Sequence, residues 1–293
     1  MRIVIALGGN ALIKKGQKGT AEEQFKTAEE AIEALKEIIE NNEVVITHGN
    51  GPQVGALLIQ QNATNEVPAM PLDVCDAMTQ GEIGYFIQRA LMRKTNRKSV
   101  TLITRVIVDE DDPAFKNPTK PIGPFYEKKI SPDMKMDAGR GYRKVVPSPQ
   151  PIKVVERKAI IPLLREGLVV VAGGGGGIPL TAAGLGVEAV IDKDKCAALI
   201  AKEIEADLLL IVTAVPAVYQ SYGRKEQKEI RKLTISEAKK LLEKGEFGEG
   251  SMKPKIEAAI DFVKYGGKKA IICGLENAED AVQGKGGTEI TNF

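Results

Sequence analysis

Strand-length apolar runs alternate with amphipathic helical stretches along this whole chain, the pattern of a mainly parallel sheet covered by helices on both faces. Ile3 to Leu7 and Val44 to Thr47 read as strands, and between them Phe25, Ala28, Ile32, Leu35 and Ile39 step by three and four residues along one helical face. Thr20-Ala21-Glu22-Glu23 opens that helix as a capping box, so the three segments make a βαβ unit. Further strands are expected at Val100 to Ile103, Leu168 to Ala172, Leu208 to Val212 and Ala270 to Cys273, with helices near 74–94, 153–165, 194–204, 234–243 and 253–265.

The first two strands run directly into glycine-rich turns, Ala6-Leu7-Gly8-Gly9-Asn10-Ala11 and Thr47-His48-Gly49-Asn50-Gly51-Pro52-Gln53-Val54-Gly55. Without Cβ atoms, Gly8, Gly9, Gly49 and Gly51 let backbone N–H groups close on an anion, and a helix N-terminus just downstream adds its dipole. One such turn alone is as readily a plain strand-to-helix connection; two in one chain point to phosphoryl transfer. Gly49-x-Gly51-x-x-x-Gly55 is one residue too long for a dinucleotide fingerprint. Neither a G-x-S-x-G nucleophile elbow nor a Walker A sequence occurs, which argues against an α/β-hydrolase and a P-loop NTPase.

A third cluster, Gly173 to Gly177, follows the strand ending at Ala172. Five consecutive glycines forfeit so much backbone entropy that a functional turn is the stronger reading, with Gly173, Gly174 and Gly175 as candidate phosphate-side residues. Beyond it, Ile191-Asp192-Lys193-Asp194-Lys195 and Gly250-Ser251-Met252-Lys253-Pro254-Lys255 each set a lysine at a helix start. An ammonium beside a helix N-terminus can follow a phosphoryl group as its charge moves.

One stretch breaks the alternation. Residues 109–151 carry eight prolines and little apolar periodicity, so they read as an ordered excursion from the sheet, either a lid or a solvated insertion. Phe115, Phe125, Tyr126 and Tyr142 point to a small packed subdomain there.

A chain of 293 residues, 43% hydrophobic, can bury a full core as one large domain or two closely joined lobes. Its 41 basic against 39 acidic residues argue against a nucleic-acid partner. Cys75, Cys196 and Cys273 are too widely spaced for a metal or redox motif and read as buried thiols of a reduced compartment. The opening segment lacks the features of a signal peptide and no apolar run reaches membrane-span length, so a cytoplasmic protein without membrane insertion is expected.

With these motifs in hand, the chain resembles the amino-acid kinase superfamily and, within it, the carbamate kinases. The resemblance rests on ALGGNAL at 6–12, THGNGPQVG at 47–55, MTQGEIGY at 78–85 and DPAFKNPTKPIGPFY at 112–126. It continues through GRGYRKVVPSPQP at 139–151, AGGGGGIP at 172–179, GVEAVIDKD at 186–194 and GSMKPK at 250–255. The TKPIGPFY and RKVVPSPQP segments discriminate, because the glycine turns are shared across the superfamily.

The resemblance implies a three-layer αβα sandwich with a mainly parallel open sheet and a small protruding subdomain, usually a homodimer. It implies a single domain over 1–293, with an N-terminal carbamate and phosphoryl lobe over about 1–167, a lid over about 109–151 within it, and a C-terminal nucleotide lobe over about 168–293. The implied reaction is reversible phosphoryl transfer between ATP and carbamate, giving ADP and carbamoyl phosphate, with Mg²⁺ held through the nucleotide phosphates and no protein metal ligands. Lys120, Lys193 and Lys255 fall on the family's catalytic lysines, and Asp194 on the acid that orients two of them. Gly8, Gly9, Asn10, Gly49, Asn50 and Gly51 would hold carbamate and the moving phosphoryl group, while Val215, Tyr219, Met252 and Pro254 would border the nucleotide. His48 is expected to shape its turn through ring hydrogen bonds. Two departures from the family pattern are Ala214, where an aspartate is common, and Lys253, where a small residue is common. Alternatives are another superfamily kinase acting on acetylglutamate, uridylate or isopentenyl phosphate, or a non-catalytic nucleotide-binding regulator.

Overall fold

The computed structural model describes residues 1–9, 12–14, 16–136, 141–248 and 252–292. Asn10, Gly139, Arg140, Gly250 and Ser251, which the sequence motifs include, lie outside the described residues.

Among the described residues the main sheet has eight strands: β1 (Arg2–Leu7), β2 (Glu43–His48), β3 (Ser99–Thr101), β4 (Val169–Val171), β5 (Leu208–Thr213), β6 (Lys232–Thr234), β7 (Lys269–Gly274) and β8 (Thr288–Thr291). Their order across the sheet is β6-β8-β7-β5-β1-β2-β4-β3. Neighbours are parallel except β7 and β8, so the β6–β8 edge runs against the rest. Helices α1 (Ala21–Ala34), α2 (Gly51–Gln61), α3 (Leu72–Lys94), α4 (Arg157–Arg165), α5 (Lys193–Glu203), α6 (Ile235–Glu243) and α7 (Met252–Lys264) connect them.

Alternating side chains explain the three layers. Ile3, Ile5 and Leu7 of β1 pack with Ala28 and Ile32 of α1 and Ile83, Ile87 and Leu91 of α3 on one face. Val4 and Ala6 face the other way, onto a core shared with Ile160 of α4, Ile200 of α5 and Ala259 of α7. The capping box at Thr20 forms as expected, with Glu23 N–H donating to Thr20 Oγ1 and Glu23 Oε2 accepting from Thr20 N. The helix that the sequence carries on to Ile39 is interrupted at Leu35 and resumes over Lys36–Glu40.

Other differences are local. The helix expected from residue 153 begins at Arg157, because Lys153 and Val154 pair as a short strand with Ile107 and Val106. The edge strand β6 and its neighbour β8 do not stand out in the sequence; KLT and TEIT are too short and polar. The 109–151 excursion does leave the sheet, and its centre is a three-stranded antiparallel sheet of Lys120–Tyr126, Tyr142–Val146 and Met134–Met136. Its aromatics do not form the packed subdomain expected of them. Phe125 and Tyr126 are exposed, and the buried residues are the aliphatic Ile122, Met134, Val145 and Val146. Ile122 and Val146 share a small core with Val54 of α2 and with Leu72 and Cys75 of α3. At its edge Gly55 and Gly123 let two backbones meet: a Cβ on Gly55 would stand 3.3 Å from Gly123 Cα.

Candidate active site

The sheet order turns about β1: β2 lies on one side, while β5, reached much later in the chain, lies on the other. In an open parallel sheet such a reversal leaves a crevice at the carboxyl ends of the strands. Here a cavity of about 580 Å³ opens there, lined by Gly8 and Gly9 after β1, by Val212, Thr213, Ala214 and Pro216 at the end of β5, and by Gly274 to Asn277 after β7. Lys14, Lys193 and Lys255 bring positive charge to its wall.

Two helix starts deliver the central lysines. Asp192 caps α5, its Oδ1 accepting from Asp194 N at 2.9 Å and Lys195 N at 3.3 Å, which fixes Lys193 and Asp194 in the first turn. Asp194 then accepts from Lys193 Nζ at 2.5 Å and from Lys255 Nζ, in the first turn of α7, at 2.9 Å. Its carboxylate is almost entirely buried between two nearly buried ammonium groups. Burial opposes its charge, yet Lys193 and Lys255 outweigh burial and hold the carboxyl below the ordinary aspartate range. Burial and the neighbouring Lys255 pull the Lys193 ammonium down against the pull of Asp194. The Lys193 stem runs past the second turn, its Cδ 3.3 Å from where a Gly49 Cβ would stand, and that same point is 3.8 Å from Gly9 N. Both glycine turns thus converge on one lysine.

The excursion supplies a third lysine. Lys120 Nζ donates to Asp192 Oδ2 at 2.8 Å, and although burial works against it, this pair holds the Asp192 carboxyl well below its usual range. Lys120, Lys193, Lys255, Asp192 and Asp194 therefore form one cluster of three cations and two anions, a net positive seat for a polyanion.

His48 and Asn50 are buried beneath the second turn. The His48 ring donates from Nδ1 to Gly49 O at 3.1 Å, and burial drives its pKa down to about 4, so the ring is neutral and braces the turn as expected. Gly49, Asn50, Gly51 and Lys120 are not among the residues that line the cavity, nor are Gly173, Gly174 and Gly175, and these last three are buried. A Cβ on Gly174 would stand 2.5 Å from the His48 ring, and one on Gly175 would stand 2.4 Å from Asn50 Nδ2. The third glycine cluster is thus a close-packed backing for the second turn. Val215, Tyr219, Met252 and Pro254 also lie off the lining, although Ala214, Pro216 and Lys255 beside them belong to it. Tyr219 leans against Tyr222 in a short hairpin, ring centroids 6.0 Å apart, and Met252 packs on the core.

Sequence reasoning missed Lys14 and the whole Gly274–Asn277 wall. Gly274 ends an apolar strand as Gly8 nearly does, a signal present in the sequence and left unused.

The amino acid kinase family model matches residues 1–274. The carbamate kinase of Thermococcus kodakarensis is 46% identical over 310 residues, covering 99% of this chain and 98% of that protein. The carbamate kinase of Lentilactobacillus hilgardii is 46% identical over 309 residues, covering 99% and 97%. Among solved structures, carbamate kinase from Giardia lamblia bound to AMP-PNP superposes with a TM-score of 0.91 at 41% identity, covering 99% of this chain and 98% of that one. By fold, by the lysine cluster at its switch point and by similarity along almost its full length, this chain belongs to the amino acid kinase family.

Proposed function

We propose that this protein is a carbamate kinase, transferring a phosphoryl group reversibly between ATP and carbamate to give ADP and carbamoyl phosphate. The observation that carries the reading is the buried Lys193–Asp194–Lys255 set at the meeting point of both glycine turns, in a chain 46% identical to carbamate kinases. Carbamate is already an oxyanion, so its oxygen attacks without a general base, and catalysis reduces to alignment and neutralisation of moving charge. A neutral, buried His48 is consistent with that economy.

In this reading Gly8, Gly9, Asn10, Gly49, Asn50 and Gly51 face carbamate and the travelling phosphoryl group, with Gly173, Gly174 and Gly175 supporting them from behind. Lys193 and Lys255 neutralise its oxygens, Asp194 keeps both ammonium groups aimed, and Lys120 covers the site from the excursion. The nucleotide occupies the cavity along Val212–Pro216 and Gly274–Asn277, with its adenine end toward Val215, Tyr219, Met252 and Pro254. Mg²⁺ would arrive as the counter-ion of the nucleotide phosphates and offset their charge; among the described residues no set of side chains is gathered to hold a metal on its own, which fits a cation carried by phosphate and water. Residues 1–167 then serve as the acceptor lobe, 168–293 as the nucleotide lobe and 109–151 as a lid whose closure excludes water from two hydrolysable substrates.

A homodimer accords with the exposed apolar side chains Val74, Met78 and Met92, spaced on one face of α3. The cytoplasm is the compartment that supplies ATP, and Cys75, Cys196 and Cys273 are all free and buried.

The deciding assay is ATP formation from ADP and carbamoyl phosphate with Mg²⁺, alongside acetylglutamate, uridylate and isopentenyl phosphate as acceptors for ATP. Carbamoyl-phosphate-dependent ATP formation is expected. Lys193→Ala should lower turnover by about a thousandfold with folding intact. Activity with another acceptor only, or an undiminished Lys193→Ala, would overturn the assignment.

A further inference from the structure

Beneath the second glycine turn lies a buried polar set that neutralisation of the phosphoryl group does not use. Asn50 and Asp76 are each 4% exposed and Thr79 is fully buried. Asn50 Nδ2 donates to Asp76 Oδ1 and, at 2.8 Å, to Thr79 Oγ1. The Thr79 hydroxyl has already given its proton to the Asp76 carbonyl oxygen at 2.8 Å, so it meets Asn50 as an acceptor. With Asp76 ionised, or with its proton on Oδ2, both inner contacts are acceptors and the amide nitrogen faces them, because the reverse would set its carbonyl oxygen against an acceptor. Among the described residues none donates to Asn50 Oδ1, which is left as the amide's unused acceptor.

The surroundings are shaped for this pair. A Cβ on Gly175 would stand 2.4 Å from Asn50 Nδ2 and 2.6 Å from Asp76 Oδ1, so only glycine leaves room for the contact. A carboxyl this deep is also costly: burial pushes Asp76 up to about 7, against the pull of the Asn50 hydrogen bond. An apolar side chain on that face of α3 would carry no such penalty. The polar group at this place has its use in what it does to Asn50.

We propose that Asp76 is a positioning residue for the acceptor substrate: with Thr79 it holds the Asn50 amide nitrogen inward, turning Asn50 Oδ1 outward to accept a hydrogen bond from the amino group of carbamate. The inference rests on the proposed reading of Asn50 as a carbamate-side residue. It gives the site a contact that selects H₂N–CO₂⁻ over a carboxylate of the same size with a methyl group, which has no N–H to offer. A proton carried on Asp76 Oδ2 leaves Oδ1 free to accept, so the contact survives protonation at that oxygen.

Steady-state kinetics of ATP formation test this. Asp76→Ala should raise KM for carbamoyl phosphate about tenfold, the worth of one directed hydrogen bond, while KM for ADP stays within about twofold. Asp76→Asn, which keeps an acceptor oxygen, should return to within about threefold of the parent. Equal shifts in both KM values, no shift in a folded Asp76→Ala, or an Asp76→Asn as impaired as Asp76→Ala would each overturn the proposal. Should Asp76→Ala not fold, Thr79→Val removes the second acceptor alone; a rise confined to the carbamoyl phosphate KM supports the proposal and its absence sinks it. Asn50→Ala separates the layers: an unchanged carbamoyl phosphate KM there overturns the underlying reading of Asn50. A raised KM there, with silent Asp76 variants, overturns only the role of Asp76.

Discussion

His48 in the second turn and Asp76 of α3, which holds Asn50 of that turn, are both buried and have opposite proton preferences. An unfolded histidine takes up its proton near 6.5, whereas buried His48 waits until about 4. Between those values the unfolded chain holds the extra proton, so His48 makes stability fall as pH falls. Asp76 does the reverse: its carboxyl ordinarily gives up the proton near 3.8 and here keeps it to about 7, so the folded chain holds the extra proton and stability falls as pH rises. The two slopes offset one another from about pH 4 to 6.5. Asp76→Asn removes one of them, and relative to the parent its unfolding free energy should fall by about 1.4 kcal/mol per pH unit on acidification across that window. Urea denaturation at three pH values checks this, and parallel pH profiles for parent and variant would refute the offset. At this scale the sequence was informative where a residue's role is local. Lys193 and Asp194 declare themselves by sitting at a helix start. Asp76 does not, because its partners Asn50 and Gly175 stand 26 residues before it and about a hundred after, and only folding brings them together.

At the scale of elements, α5 begins with one carboxylate serving two masters. Asp192 caps the helix with Oδ1 and holds Lys120 with Oδ2. Asp192→Asn retains a good cap and loses the charge, while Asp192→Ala loses both. Both variants should raise KM for carbamoyl phosphate to a similar degree, but Asp192→Ala should be less stable than Asp192→Asn by about 1 kcal/mol. Thermal and denaturant unfolding of the pair, set beside their kinetics, separates capping from charge. Strands and helices of the central sheet were legible because their apolar spacing is strong, and α1, α3, α5 and α7 lie within two residues of their expected starts or ends. The glycine run at 173–177 was legible as special and misleading as to why. Its entropy cost is met by packing against His48, Gln80, Asn50 and Asp76, a tertiary reason that no local pattern carries.

At the scale of the whole molecule, the apolar side chains on the outer face of α3 should hold two copies together. Met78→Asp combined with Met92→Asp is expected to shift sedimentation from the mass of two chains to that of one, with little loss of secondary structure. A parent that already sediments as a single chain would end that reading. The seam between the excursion and α2 bears on a different property. Lys120 lies three residues from Gly123, on the stretch already seated against Gly55 and Val54, so the backbone that carries the lysine cannot move away without parting that seam. Its ion pair with Asp192 is about one-third open to water on the lysine side and contributes at most about 1 kcal/mol, whereas burial of Ile122 and Val54 is worth about 2 kcal/mol each. A joint dominated by apolar contact answers to temperature, because such burial weakens on cooling. Cold should therefore loosen the stretch that carries Lys120, and with it the grip of Lys120 on Asp192.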